Sequence, residues 1–431
     1  MIQFWSLADS FVDLHNGDCL AYLRAQPDNS FDSIVTDPPY ALESVVKRFG
    51  KTSIEREPGQ QGNEAKHAMQ RIGRGFMGQT WDTGDIVHSV EFWAECLRVL
   101  KPGGFLASFA GTRTYHRMAS AIDDAGFEVR DMLAWMFSTG FPKSMDASKA
   151  IDKAAGAARE VIVVAGSSGS KRNSMAGDFS GGEYYETAPA TEEAKQFEGF
   201  GTALKPAFEP ICLARKPLSE KTVALNLLKW GTGCLNIDGC RVASDDIVVT
   251  HGRSAASAVS KGTYADSSAT ITHQKPGQAL GRFPANLLHD NSPEVLALFP
   301  VTGPSRGGVI KSSAKNPSVS KGREYAREAE YTSDNGGSAA RFFYSPKANR
   351  HERQWGPHPT VKPIALMQWL VRLVTPKGGT LLDPFAGTGT TAHAAVLEGL
   401  NAIVCEREVK YAEIIERRMD WITDLDSQIG L

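Results

Sequence analysis

The sequence predicts an α/β fold with a doubly wound sheet. Apolar runs of strand length alternate with segments whose apolar residues recur at helical spacing, in the first part of the chain and again near its end. Two of the predicted strands lead into an aspartate and a turn, at Asp37 and at Asp383. Because ligands of such sheets bind beyond the carboxyl ends of the strands, the same pattern predicts where a functional site lies.

The predicted elements follow one another with clear boundaries. Strand 11–15 leads through a brief helix at 19–25 to strand 31–36. A helix is predicted for 87–100, because its apolar residues share one face and Lys-Pro-Gly-Gly, a typical helix terminator, follows it. The later predicted elements are strands 105–109, 128–137, 208–216, 380–382 and 402–406, and helices 113–125, 222–230 and 391–398.

Composition excludes several classes of protein. The 431 residues are 42% hydrophobic and 22% charged, as in a soluble globular protein, and the net charge of -2 gives no global basic field. The six cysteines have neither the paired spacing of a zinc site nor the density of a disulfide scaffold, so we expect reduced thiols and no metal. No signal-like segment or membrane-length apolar run occurs, which favours a cytoplasmic protein without a membrane partner.

The stretch Asp37-Pro38-Pro39-Tyr40 ends a strand of buried character. Neither proline can continue a sheet ladder, so the chain must turn outward there. Asp37 offers two acceptor oxygens, Pro38 offers a free carbonyl, and Tyr40 offers a flat aromatic face. These groups suit a planar ligand that carries an amino group, although an ordinary strand end with a solvated aspartate would show the same four residues.

The stretch from Asp383 to Thr391 predicts a strand, a glycine turn and the start of a helix. Gly387 and Gly389 allow a ligand to approach the backbone closely, and Glu406 ends the next strand, where a carboxylate can bind both hydroxyls of a ribose. The pattern favours an adenosine-type cofactor over a purely structural turn without naming the cofactor.

These motifs, together with His358-Pro-Thr-Val-Lys-Pro363, resemble those of the DNA amino-methyltransferases that use S-adenosyl-L-methionine. Their order is that of the beta class, with the catalytic motif first and the cofactor motif last. The resemblance implies a circularly permuted, Rossmann-like methyltransferase sheet with an inserted, irregular target-recognition region. On this basis we divide the chain into the first part of the core (1–156), an insertion (157–201), a core strand and helix (202–240), the target-recognition region (241–345) and the cofactor-binding part (346–431).

The resemblance also assigns roles to individual residues. Asp37 and the Pro38 carbonyl would hold the target amine, with Pro39 shaping the turn and Tyr40 stacking on a flipped base. Aspartate in this motif is typical of adenine N6 as acceptor, whereas serine is commoner for cytosine N4, so adenine is expected. The residues implied to bind the cofactor are Asp18, His358, Thr360, Lys362, Asp383, Phe385, Ala386, Gly387, Thr388, Gly389, Thr390 and Glu406.

Contacts to DNA are predicted from basic and aromatic residues in loops. The span 41–82 and the region after residue 241 lack periodicity and carry many lysines and arginines, which suits phosphate binding but also fits solvated surface loops. The candidates for DNA contact are Phe76, Arg113, Phe141, Lys143 and Arg282.

Double-stranded DNA is the expected partner, and a homodimer is expected from the resemblance alone. The sequence does not indicate whether a restriction endonuclease accompanies the protein. The alternatives are a cytosine-N4 methyltransferase, an RNA methyltransferase and a catalytically silent DNA-binding protein. A nicotinamide-dependent dehydrogenase would leave the residues from Asp37 to Tyr40 without a role.

Overall fold

The fold is described from a computed structural model of the chain. The described residues are 2–7, 9–40, 86–140, 144–165, 184–243, 281–303, 308–313, 326–331, 336–346 and 361–429. The chain divides into two compact units. The first comprises Met1–Leu235 and Lys347–Leu431, and the second comprises Asn236–Pro346.

The described part of the chain contains both helices and strands throughout. The strands are β1 (Ile2–Ser6), β2 (Phe11–Asn16), β3 (Phe31–Thr36), β4 (Leu100–Phe109), β5 (Glu128–Met136), β6 (Val161–Ala165), β7 (Tyr184–Thr187), β8 (Phe208–Arg215), β9 (Leu287–His289), β10 (Val301–Thr302), β11 (Gly308–Ser313), β12 (Ala326–Tyr331), β13 (Gly337–Ser338), β14 (Thr380–Asp383) and β15 (Asn401–Glu406). The α-helices are α1 (Cys19–Ala25), α2 (Val90–Val99), α3 (Tyr115–Asp124), α4 (Ala147–Ala155), α5 (Glu192–Gln196), α6 (Val223–Trp230), α7 (Pro293–Leu296), α8 (Ile364–Val374), α9 (Thr390–Leu397) and α10 (Val409–Ile429).

The first unit is organised around one mixed sheet, whose strands lie in the order β1-β2-β15-β14-β3-β4-β8-β5. Strands β2, β15, β14, β3 and β4 run parallel, while β8 is antiparallel to both of its neighbours. The last two strands of the chain therefore lie between the second and third. This arrangement confirms the predicted permuted, Rossmann-like α/β sheet. The parallel strands β2 and β3 end at the same rim of the sheet, but they are not neighbours.

Burial explains why these segments form strands and helices. All six residues of β3 are buried, as expected of a parallel strand that is covered on both faces. Helix α8 buries most of its length, including Leu366, Trp369 and Leu370, and it begins directly after Pro363. Lys362, two residues before α8, is also buried.

Three predicted boundaries near β4 differ from the structure. Helix α2 begins at Val90 because Ser89 caps it, accepting a hydrogen bond from the Phe92 N–H, and 86–88 form a separate 3-10 turn. The Lys-Pro-Gly-Gly segment belongs to β4 itself, where Gly103 donates to the Lys216 carbonyl and Lys216 donates to that of Gly104. Helix α3 begins at Tyr115, two residues later than predicted.

The segment predicted as an insertion contains regular structure. Strands β6 and β7 pair in an antiparallel hairpin, and α5 follows. Asp152 of α4 bonds Arg159 and the backbone of Ala190 and Thr191, so this segment is tied to the end of the preceding helix.

The second unit is also more regular than predicted. It contains two antiparallel pairs, β10 with β13 and β11 with β12, and a bridge between Val242 and Arg282. Its buried centre includes Leu288, His289 and Val295. Strands β10 and β13 have two residues each, and β11 and β12 include charged residues, which explains why the sequence pattern did not reveal these strands.

Among the described residues, no helix has the length and apolarity needed to cross a membrane, and no group of three or more His, Cys, Asp or Glu side chains could hold a metal ion. The cysteines are free, and all except Cys234 are buried.

Candidate active site

The carboxyl ends of β3 and β4 and the amino end of β8 meet at one rim of the sheet. Thr36 pairs with Ser108, and Phe109 pairs with Ile211, so the antiparallel β8 brings its first residues to the rim that the parallel strands reach with their last. Asp37 and Glu209 therefore face the same site from two strands that lie far apart in the sequence.

Lys362 lies between these two carboxylates. Its Nζ is 2.7 Å from Asp37 Oδ2 and 3.1 Å from Glu209 Oε2, and it donates a 3.1 Å hydrogen bond to the Tyr40 hydroxyl. The same atom lies 4.8 Å from the centroid of the Phe109 ring. With only 6% of the lysine exposed, these contacts form a buried polar cluster.

The charges of this cluster stabilise one another. Burial alone would lower the pKa of Lys362, but Asp37 and Glu209 outweigh burial and hold that pKa above its usual value. Burial raises the pKa of Glu209, an effect that Lys362 partly opposes. Burial, together with the negative charge of Asp37 and Glu209, holds the pKa of Tyr40 well above its ordinary value. Lys362 therefore carries its charge at neutral pH, and Tyr40 keeps its proton.

Asp37 retains one acceptor that no described residue uses. Its Oδ2 contacts Lys362, whereas Oδ1 is buried and has no hydrogen-bond partner among the described residues. A buried acceptor without a donor is costly, and such atoms commonly mark the place of a ligand. An amino group that donates to Oδ1 would satisfy it.

Tyr40 is held by its backbone as well as by its hydroxyl. Thr114 Oγ1 donates a 2.8 Å hydrogen bond to the Tyr40 carbonyl. Gly111 lies beside the ring, where a Cβ would come within 3.2 Å of Tyr40 Cδ2. The ring is partly exposed, so a planar ligand can stack on it.

The glycine turn between β14 and α9 has the geometry that the sequence predicted. Gly387 and Gly389 have φ values of 55° and 75°, in the left-handed region that favours glycine. The Gly387 N–H donates a 2.9 Å hydrogen bond to Glu406 Oε2, and the Glu408 N–H donates one of 2.7 Å to Oε1. The turn and the end of β15 thus form one connected unit.

The residues of this turn fit a ligand with ribose hydroxyls. Glu406 is 9% exposed, and burial, only partly opposed by its two backbone donors, raises its pKa to about 7. Each carboxylate oxygen has a second acceptor position, so Glu406 can accept from two hydroxyls in addition to these backbone bonds.

Several predicted cofactor residues have structural partners. Phe385 packs against the Phe92 ring at a centroid distance of 5.4 Å, and Thr390 Oγ1 accepts a hydrogen bond from Arg418. Ala386 donates to the Cys405 carbonyl, and Thr388 is buried. Asp18 is exposed and caps α1 by accepting from the Ala21 N–H, so it lies at the rim beyond β2.

The predicted DNA-contact residues and two predicted cofactor residues lie partly inside and partly outside the described part of the chain. Arg113 is exposed just before α3, and Arg282 lies in the second unit. Phe76, Phe141, Lys143, His358 and Thr360 lie outside the described residues.

Sequence reasoning missed Glu209 and assigned Lys362 only to the cofactor. The signal for Glu209 was a charged residue between Phe208 and Pro210 at the start of an apolar strand. That signal is weak without knowledge of the strand direction, because the residue becomes a neighbour of Asp37 only when β8 runs antiparallel.

A family described as DNA methylase matches residues 31–417 of the chain. The chain is 40% identical over 78 residues to the Type II methyltransferase M2.MboI of Moraxella bovis, which covers 18% of this chain and 29% of that protein. It is 26% identical over 242 residues to the Type II methyltransferase M.HindIII of Haemophilus influenzae, which covers 52% and 64%. The chain thus aligns with less than two thirds of the length of either relative.

Among solved structures, the fold resembles the PvuII DNA methyltransferase (cytosine-N4-specific), with a TM-score of 0.41 and 14% identity over 97% of this chain and 92% of that one.

Proposed function

The chain belongs to the DNA methylase family, and from this premise we propose that it transfers the methyl group of S-adenosyl-L-methionine to the N6 amino group of an adenine in double-stranded DNA. The observation that carries the proposal is the state of Asp37. One carboxylate oxygen is bound by Lys362, and the other is buried without a donor among the described residues.

An exocyclic amine suits this arrangement. It donates one hydrogen to Asp37 Oδ1 and the other to the Pro38 carbonyl, which directs the nitrogen lone pair away from both acceptors. Tyr40 supports the ring of the base. Positioning of this kind supplies a large part of the acceleration in a displacement reaction, because reacting atoms held in line avoid an entropic cost.

The cofactor supplies an electrophilic methyl group bonded to a sulfonium. Glu406 would bind its ribose hydroxyls, and the turn through Gly387 and Gly389 would lie against it. Asp383 connects this region to the target site, because it accepts a hydrogen bond from Thr36, the residue before Asp37. After transfer, the amine carries an extra proton, which Asp37 can accept or pass to water.

DNA binding is assigned to cationic side chains of both units. In the second unit, Arg282 and Arg341 lie over the Phe342 ring at 4.4 and 4.3 Å from its centroid, and Arg241 lies 5.6 Å from that of the exposed Phe283. Arginines combined with aromatic rings are suited to both phosphates and bases. Arg113 is the described candidate in the first unit. The protein would flip the target base out of the duplex, and we expect a cytoplasmic homodimer.

Transfer to cytosine N4 is the second candidate, since cytosine presents the same amino group beside a ring nitrogen. The test uses S-adenosyl-L-methionine with a tritiated methyl group and offers duplex DNA, single-stranded DNA and RNA separately. We expect label in duplex DNA, recovered as N6-methyladenine after digestion to nucleosides. Recovery of the label as N4-methylcytosine would show that cytosine, not adenine, is the acceptor base. Label found only in RNA would show that RNA, not duplex DNA, is the substrate.

A further inference from the structure

We propose that Glu209 is a positioning residue for methyl transfer, which holds Lys362 so that Asp37 keeps one oxygen free for the target amine. The inference rests on the proposed function and assigns Lys362 to the acceptor side of the site. Glu209 lies at the start of β8, and none of the three sequence motifs includes it.

The geometry around Lys362 supports this role. An ammonium group has three hydrogens, and Lys362 Nζ has three oxygen neighbours, which belong to Asp37, Glu209 and Tyr40. Asp37 and Tyr40 belong to one turn after β3, whereas Glu209 belongs to β8, so two separate parts of the chain together fix the position of the nitrogen. Since 6% of the lysine is exposed, water cannot easily take the place of a missing partner.

Glu209 determines on which side of Asp37 the ammonium lies. Its Oε2 is 3.1 Å from Nζ, and Asp37 Oδ2 is 2.7 Å from the same atom. Without the charge of Glu209, the ammonium has one carboxylate left to neutralise and can move to contact both of its oxygens. The target amine would then compete with Lys362 for Oδ1.

Charge also matters for the strength of the acceptor. Two carboxylates share one ammonium in a buried cluster, so Asp37 is only partly neutralised and remains a good acceptor. When the charge of Glu209 is removed, the positive charge of Lys362 is neutralised by Asp37 alone. The amine would be bound less well, and its positive charge after transfer would be less well stabilised.

The test compares methyl transfer to duplex DNA by the wild-type chain, Glu209→Gln and Glu209→Asp. We expect Glu209→Gln to lower kcat about tenfold or more, because the neutral amide no longer attracts the Lys362 ammonium across the 3.1 Å ion pair. The Kd for S-adenosyl-L-methionine should change less than about twofold, because the proposed cofactor residues Gly387, Gly389 and Glu406 lie at β14 and β15, and β3 and β4 separate those strands from β8. Glu209→Asp keeps the charge and should recover part of kcat.

A double-mutant cycle with Lys362→Met separates positioning from a general structural role. If Glu209 acts through Lys362, Glu209→Gln lowers kcat in the wild-type background and does not lower it further in the Lys362→Met background. A fall of the same factor in both backgrounds would overturn the proposal.

Glu398→Gln is the matched control, because Glu398 forms a comparable, partly buried ion pair with Arg372 outside the site. It should leave kcat unchanged, and its melting temperature shows what the loss of such a pair costs. Unchanged kcat in Glu209→Gln, with an active wild type, would overturn the positioning role alone. A wild type that methylates no DNA would overturn the proposed function, and this inference with it.

Discussion

Thr36 Oγ1 donates a 2.6 Å hydrogen bond to Asp383 Oδ1, and both side chains are almost completely buried. The residue before the catalytic motif is thereby bonded to the residue that begins the glycine turn, although 347 positions separate them in the chain. The bond spans the adjacent parallel strands β3 and β14. It connects the proposed acceptor site to the proposed cofactor site.

Thr36→Val should destabilise the protein by about 1–3 kcal/mol, because a buried carboxyl group loses a donor while the side-chain volume is kept. Burial already raises the pKa of Asp383 to about 6, and the Thr36 hydroxyl is one of the groups that opposes this rise. Chemical unfolding measures the loss. Ser33→Ala is a useful comparison, because Ser33 in the same strand shares a buried hydrogen bond with a neutral group, the Thr375 hydroxyl. Equal losses in the two variants would show that Asp383 has no special dependence on Thr36.

Glu406→Gln should weaken the binding of S-adenosyl-L-methionine and remove its pH dependence. Ribose hydroxyls donate to the ionised carboxylate, and the pKa of Glu406 in the free protein is about 7, so binding below that pH requires loss of a proton. The affinity of the wild type should therefore rise as the pH increases toward about 7 and then level off. Isothermal titration calorimetry between about pH 5.5 and about pH 8.5, which covers both sides of that pKa, measures this profile. A glutamine variant with the wild-type profile would place the ribose elsewhere.

The same shift predicts how stability changes with pH. The pKa of Glu406 is raised by folding, so the folded chain binds more protons than the unfolded chain between the ordinary value of 4.5 and about 7. This carboxyl group therefore contributes stability at low pH that is lost as the pH rises through that interval. In Glu406→Gln this contribution is absent. Between about pH 5 and about pH 7, the free energy of unfolding of the variant should therefore fall less steeply than that of the wild type. An identical slope would contradict the assignment.

Arg282→Ala should weaken DNA binding several-fold and reduce the salt dependence of binding by about one unit of slope, as expected when one phosphate contact is lost. Fluorescence anisotropy with a labelled duplex at several salt concentrations measures both quantities. Arg417→Ala removes an exposed arginine from α10 and serves as the control, with no change in either quantity expected. An unchanged slope in Arg282→Ala would remove this residue from the DNA contact surface.

The parts of the site that depend on local sequence could be predicted, and the parts that depend on strand neighbours could not. A buried strand that ends in Asp37 and two prolines, and a turn that needs left-handed glycines, are visible in a few consecutive residues. Glu209 and Lys362 meet Asp37 only because β8 runs antiparallel and because α8 begins after Pro363. Those relations follow from packing across the sheet, which residue spacing does not encode.

The boundaries of helices and strands likewise depended on contacts between strands, which the local sequence does not show. The prediction placed a helix terminator at Lys-Pro-Gly-Gly, but Gly103 and Gly104 exchange hydrogen bonds with Lys216, which directly follows the neighbouring strand β8, and this tertiary pairing overrides the local preference. The two-residue strands β10 and β13 of the second unit are too short for the alternation by which longer strands are recognised.

The role of Asp37 can be measured by comparing Asp37→Ala with the wild type for two properties, the binding of S-adenosyl-L-methionine and the mass of the nucleosides recovered from duplex DNA after incubation. Asp146→Ala, which removes an aspartate that caps α4, controls for the loss of a carboxylate outside the site. We expect the wild type and Asp146→Ala to form methylated adenine, and Asp37→Ala to bind the cofactor normally and form none. Methylated DNA formed by Asp37→Ala at the wild-type rate would contradict the proposed mechanism.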